Sequence, residues 1–97
     1  MSGRGRDAVL AIDCGSQSVR AIAFDTAGEI LARSHVALDA YRSPQPDHKE
    51  IDVEAVWAAL AEACRALWRA DPALKTSLRA MAVTTQRGTL VPLDASG

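Results

Sequence analysis

Aromatic side chains are scarce: the 97 residues hold one Phe, two Trp and one Tyr. Hydrophobic residues still make up 48% of the chain, too many for a disordered tail, and 19 of those 47 are Ala. A core of Ala, Val and Leu buries little area per residue, and small domains are marginal already. The composition therefore suits part of a larger unit better than a self-sufficient one. Cysteine is scarce too. Cys14 and Cys64 stand far apart with no CxxC, which excludes a dense disulfide framework; they read as two free, buried thiols in a reducing compartment, a single disulfide being the other reading. His35 and His48 add no metal-ligand spacing to them. Charge of one sign is lacking, with 11 basic against 12 acidic residues. That argues against binding to nucleic acid or a membrane surface by bulk electrostatics, though not against a local phosphate site. Long apolar runs are missing as well. Nothing approaches the roughly 20 residues of a membrane helix, and Ala8 to Ile12 is shorter than the 7–15 or so of a signal peptide. A cytoplasmic protein is expected. There is no GxxxxGK[ST] and no GxSxG, so a P-loop and a nucleophile elbow are out. Gly3 and Gly5 precede a strand instead of following one, so they form no dinucleotide fingerprint.

What is present reads as α/β. Met1 to Asp7 is polar and rich in Gly and Arg, and reads as a disordered leader. Ala8 to Ile12 is a continuous apolar run of strand length, suited to burial on both faces. Asp13 to Ser18 is a polar turn, and Val19 to Asp25 resumes as a strand. Asp25-Thr26-Ala27-Gly28 supplies turn chemistry, with Gly28 free to take a positive φ. Glu29 to Val36 is a third strand, completing an antiparallel meander. Asp39 to Asp52, with Pro44 and Pro46, is a polar connection. Asp52 then caps a helix whose Val53, Val56, Trp57, Leu60, Cys64, Leu67 and Trp68 form one apolar stripe, with both Trp assigned to the core or to a packing face. Asp71-Pro72 ends that helix, and Leu74 to Leu78 adds a helical turn. Arg79 to Thr85 and Thr89 to Leu93 are the last two strands, and Asp94 to Gly97 is a turn signature at which the sequence stops. The order is β-β-β-α-β-β.

Two places concentrate chemistry. Asp13 ends a strand, where a carboxylate can hold a hydrated Mg²⁺. Gly15 permits close backbone approach, Ser16 and Ser18 offer hydroxyls, Gln17 an amide, and Arg20 a forked phosphate contact. The same residue types also make an ordinary polar turn. Further on, Gln86 and Arg87 follow a strand at its C-terminal end, where open α/β sheets place ligands. An amide beside a guanidinium suits hydroxyl-rich molecules; a solvated strand end is the plainer reading.

Three segments carry a resemblance. Leu10 to Asp25 resembles the opening D-x-G-T-x-S-x-R-A-x-x-x-D hairpin of the FGGY carbohydrate kinases. Pro44 to Asp52 with Val56-Trp57 resembles the family's P-x-P-G-W-x-E-x-D…W stretch, and Thr85 to Thr89 its N-Q-R-E-T. The three lie in family order from about Ala8 to Gly97. The resemblance implies the opening part of a ribonuclease H-like domain, of the kind in actin and hexokinase, with residues 8–97 as an incomplete N-terminal domain. It implies ATP- and Mg²⁺-dependent phosphoryl transfer to a sugar or polyol hydroxyl. Asp13, Gly15, Ser16, Gln17, Ser18 and Arg20 would form the phosphate and metal site, and Gln86 and Arg87 would face the sugar. The catalytic base would lie beyond Gly97, so the chain alone would be inactive. The sequence departs from the pattern at Gln17, Asp47, His48 and Gly88. The last replaces the motif's Glu and leaves the substrate open. A stand-alone relic or interaction module, and another ATPase or phosphatase of the same broad fold, are the alternatives. A homo-oligomer of a longer parent stays open.

Overall fold

The computed structural model describes residues 7–86 and 90–97. Six strands and two helices are present among them: β1 (Ala8–Cys14), β2 (Ser18–Asp25), β3 (Ile30–Ala37), β4 (Tyr41–Arg42), β5 (Glu50–Ile51), α1 (Val53–Ala70), α2 (Leu74–Ser77) and β6 (Leu78–Thr85). The main sheet has the order β3-β2-β1-β6. β1, β2 and β3 form the antiparallel meander, and β6 runs parallel to β1 after the crossover through the helices.

The turn between β2 and β3 forms for local reasons. Asp25 Oδ1 accepts from the backbone N–H of Ala27 and of Glu29, each at 2.9 Å. Gly28 takes φ +90°, a conformation that costs a Cβ-bearing residue about 1–2 kcal/mol. Helix α1 starts at Asp52, whose side chain accepts from the N–H of Glu54 and Ala55. It stops before Pro72, with the Asp71 N–H donating to the Leu67 carbonyl.

The helix lies across β2 and β3. Ala59, Ala63 and Leu67 meet Ala8, Leu10 and Ile12 of β1 and Val19, Ala21 and Ala23 of β2 in one core. Alanine on both sides lets the helix approach the sheet closely. Ser34 Oγ on β3 donates to the Ala63 carbonyl at 2.6 Å, fixing that approach.

Several expectations need correction. β1 is covered on one face only: Ala8, Leu10 and Ile12 are buried, while Val9 is exposed. The uninterrupted apolar run hid an alternating burial. Trp57 is 67% exposed and lies outside the core, beside a hollow it lines with Val53 and Val56; Trp68 packs against the core as expected. The connection from Asp39 to Asp52 holds a small antiparallel ribbon, with Tyr41 opposite Ile51 and Arg42 opposite Glu50. Strands of two residues leave no periodicity to read. The final strand expected over Thr89 to Leu93 is absent at residues 90–93, which have no ladder partner among the described residues. Thr89 and the leader residues 1–6 lie outside those residues. Asp7 is described, and its Oδ1 accepts from Arg79 Nε at 3.0 Å. Cys14 and Cys64 are free thiols, and both are half-buried. No described helix is long and apolar enough to cross a membrane.

Candidate functional site

The parallel pairing of β1 with β6 creates the site. Asp13 lies opposite Thr84, and Cys14 opposite Thr85. The two strands thus end side by side, and the residues just past their ends share one edge of the sheet. Beyond β1 comes the Gly15-Ser16-Gln17 turn into β2, and beyond β6 comes Gln86. About seventy residues of sequence separate the two, so only the crossover brings them together.

In the first hairpin the Gly15 N–H donates to the Ser18 carbonyl at 2.9 Å and closes the turn. The Leu38 N–H donates to the Gln17 carbonyl at 2.8 Å and ties the turn to the end of β3. Arg20 and Asp13 are cross-strand partners. Arg20 Nη2 stands 2.8 Å from Asp13 Oδ2, and Nε donates to the same oxygen at 3.1 Å. Both side chains are close to half exposed, so the pair contributes under about 1 kcal/mol to stability. Its consequence is orientation: Nε and Nη2 of the guanidinium both face the Asp13 carboxylate. Gly15 makes room for it, since a Cβ there would sit 3.1 Å from Arg20 Nη2. Ser16 and Gln17 stand exposed at the tip, while Ser18 is buried at its base. Gly15, Ser16, Gln17, Ser18 and Arg20 line one depression of about 490 Å³. His35 on β3, opposite Arg20, completes its wall. The Cys14 thiol beneath the turn is pushed up from its ordinary value, by burial first and by the neighbouring Asp13 charge second.

The second half is Gln86, half-buried just past β6. Its Nε2 donates to the Tyr41 hydroxyl at 2.6 Å. A cleft of about 150 Å³ lined by Cys14, Gly15, Ile51, Val56, Thr85 and Gln86 joins it to the hairpin. A wider hollow of about 460 Å³ opens beside it between Tyr41, Lys49, Glu50 and the segment 90–92. Arg87 and Gly88 lie outside the described residues. The structure therefore brings Asp13, Gly15, Ser16, Gln17, Ser18, Arg20 and Gln86 to one sheet edge. Sequence reading missed Tyr41 and His35: Tyr41 sits in an irregular connection, and His35 is one polar residue in a strand.

A meander followed by a helical crossover to a parallel strand is a fold shared with known proteins. Residues 8–97 match the N-terminal domain of the FGGY family of carbohydrate kinases, and the chain belongs to that family. It is 35% identical over 96 residues to a glycerol kinase of Dechloromonas aromatica, covering 99% of this chain and 19% of that protein. It is 46% identical over 55 residues to an apulose kinase of Pectobacterium atrosepticum, covering 57% of this chain and 11% of that one. The chain thus spans about a fifth or less of the length of these relatives. In structure it resembles a xyloylose kinase from Brucella ovis, with TM-score 0.74 and 27% identity over 79% of this chain and 16% of that chain. The Plasmodium falciparum glycerol kinase solved with ADP gives TM-score 0.63 at 18% identity, over 84% of this chain and 16% of its own, a likeness of fold. The fold is that of the actin- and hexokinase-like sugar kinases.

Proposed function

We propose that residues 8–97 are the N-terminal part of an ATP-dependent kinase that phosphorylates a hydroxyl of a sugar or polyol. The observation that carries this reading is the shared edge: a Gly- and Ser-containing hairpin with a fixed arginine lies beside an amide suited to hydroxyl groups. Family membership supports ATP as the phosphoryl donor. The first hairpin receives the phosphates. Backbone N–H groups and the Ser16 hydroxyl at the tip donate to phosphate oxygens, and Arg20, paired with Asp13, supplies positive charge. Ser18 is buried and shapes the turn through its carbonyl. Gln86, with Arg87 next in sequence, binds the sugar. Asp13 fits a magnesium ion by its chemistry, since one carboxylate with phosphate oxygens and water is a usual ligand set. A magnesium ion held by Asp13 would neutralise charge on the phosphates. Phosphoryl transfer depends mostly on positioning and electrostatics, and these residues supply both without a nucleophile of their own. The base that takes the hydroxyl proton lies outside these 97 residues. A cytoplasmic location is supported by the two free thiols.

The test is a pair of substitutions in the native protein that carries this segment. Asp13→Asn should lower sugar-dependent ATP turnover about 100-fold at saturating substrates. Gln86→Ala should raise KM for the sugar about ten-fold and leave KM for ATP within about two-fold. Equal effects of Gln86→Ala on both KM values would contradict the division of the site.

A further inference from the structure

Gln86 binds sugar only if its side chain is held in place. The carbonyl and NH₂ ends of a glutamine are opposite in hydrogen-bonding character, and the terminal torsion is soft and two-fold. A glutamine just past the end of a strand receives no orientation from the ladder. Here its Nε2 donates to the Tyr41 hydroxyl at 2.6 Å, across 45 residues of sequence. Among the described residues this is the one side-chain hydrogen bond joining the 39–52 connection to the end of β6. We propose that Tyr41 is a positioning residue for the sugar site. It holds the Gln86 amide at the end of β6, with the other end of the amide left to a substrate hydroxyl. The inference rests on the kinase reading of the site.

Tyr41 is itself anchored. It pairs with Ile51 across the β4–β5 ribbon. The Asp52 N–H next to that ribbon donates to the buried Ala40 carbonyl at 2.7 Å. The Asp52 carboxylate caps α1 through Oδ1, while its Oδ2 lies 3.6 Å from Arg42 Nη2. The residues on both sides of Tyr41 are thus tied to the start of the long helix, and the helix is packed on the sheet that carries Gln86. The hydroxyl is tied through the ribbon and the helix cap on one side, and the amide follows β6 on the other. That is how a side chain in an irregular connection can hold one at a strand end in place. The ring of Tyr41 also lines the 460 Å³ hollow beside the amide.

A double-mutant cycle in the native protein tests this, with Tyr41→Phe, Gln86→Ala and the pair. Tyr41→Phe keeps the ring and removes only the hydroxyl. It should raise KM for the sugar about five- to ten-fold, with the loss in KM and not in kcat, and leave KM for ATP in place. On the Gln86→Ala background the same change should have no further effect, because Tyr41 acts through Gln86. The Gln86 side-chain amide resonances should move in Tyr41→Phe. A wild-type protein with no sugar-dependent ATP turnover overturns the kinase reading itself. An active wild type whose Tyr41→Phe variant keeps its sugar KM, or shows the same rise without Gln86, overturns the positioning role alone.

Discussion

At the scale of single residues, the two thiols report directly on the packing between sheet and helix. Burial pushes Cys14 and Cys64 up from the ordinary thiol value; the Asp13 charge adds to the shift at Cys14, and Cys14 adds to it at Cys64. Both should react with iodoacetamide more slowly than a free small thiol near neutral pH, with rates still climbing above the ordinary thiol range. The linked effect on stability has one sign. The unfolded chain loses these protons first as pH rises, so this contribution is complete below the ordinary thiol range and is lost as pH climbs through the higher folded values. Urea melts across alkaline pH check it. Rates equal to those of a free thiol would mean that the interface is open.

Residue-scale reading of the sequence went far where chemistry is local. Asp25 and Gly28 announced their turn, and Asp52 its helix cap, because a side chain bonding to a backbone group two or three residues away leaves a short-range signature. Tyr41 left none. Its partner is 45 residues off, and nothing near it in sequence distinguishes a bonded hydroxyl from a solvated one.

At the scale of elements, the fold depends on α1 lying across β2 and β3. Leu67 is fully buried at that contact. Leu67→Ala should cost about 2–5 kcal/mol, enough to unfold so small an Ala-rich unit or make it molten. Circular dichroism and a thermal melt would show lost cooperativity, and a melt unchanged by the substitution would contradict the packing described. The strands and the helix were legible because an apolar stripe at helical spacing and short apolar runs between turns identify them directly. Which faces they bury was less so. Val9, inside an unbroken apolar run, is exposed, and so is Trp57, on the apolar stripe. The failure at residues 90–93 is of the same kind. An apolar run has strand propensity, but a strand exists only where a neighbour supplies its ladder.

At the scale of the whole molecule, the site was legible in parts and not in assembly. Asp13 to Arg20 and Gln86 could each be picked out by residue type. That the hairpin and the amide meet is a consequence of the parallel register of Cys14 with Thr85, and no local pattern encodes a pairing across 71 residues. The chain spans about a fifth or less of the glycerol and apulose kinases it resembles, and the proposed function assigns none of its residues as the base that activates the hydroxyl. The 97 residues alone should therefore show no sugar-dependent ATP turnover. Turnover by that isolated chain would mean that a base within it has been overlooked.

The most direct measurement is ADP release by the native protein across a panel of polyols, pentuloses and hexuloses, with Mg²⁺ and ATP. Release should depend on at least one of these compounds and should fall sharply in Asp13→Asn. ADP release without any sugar, or no release with every member of the panel, would mean that the kinase reading is wrong.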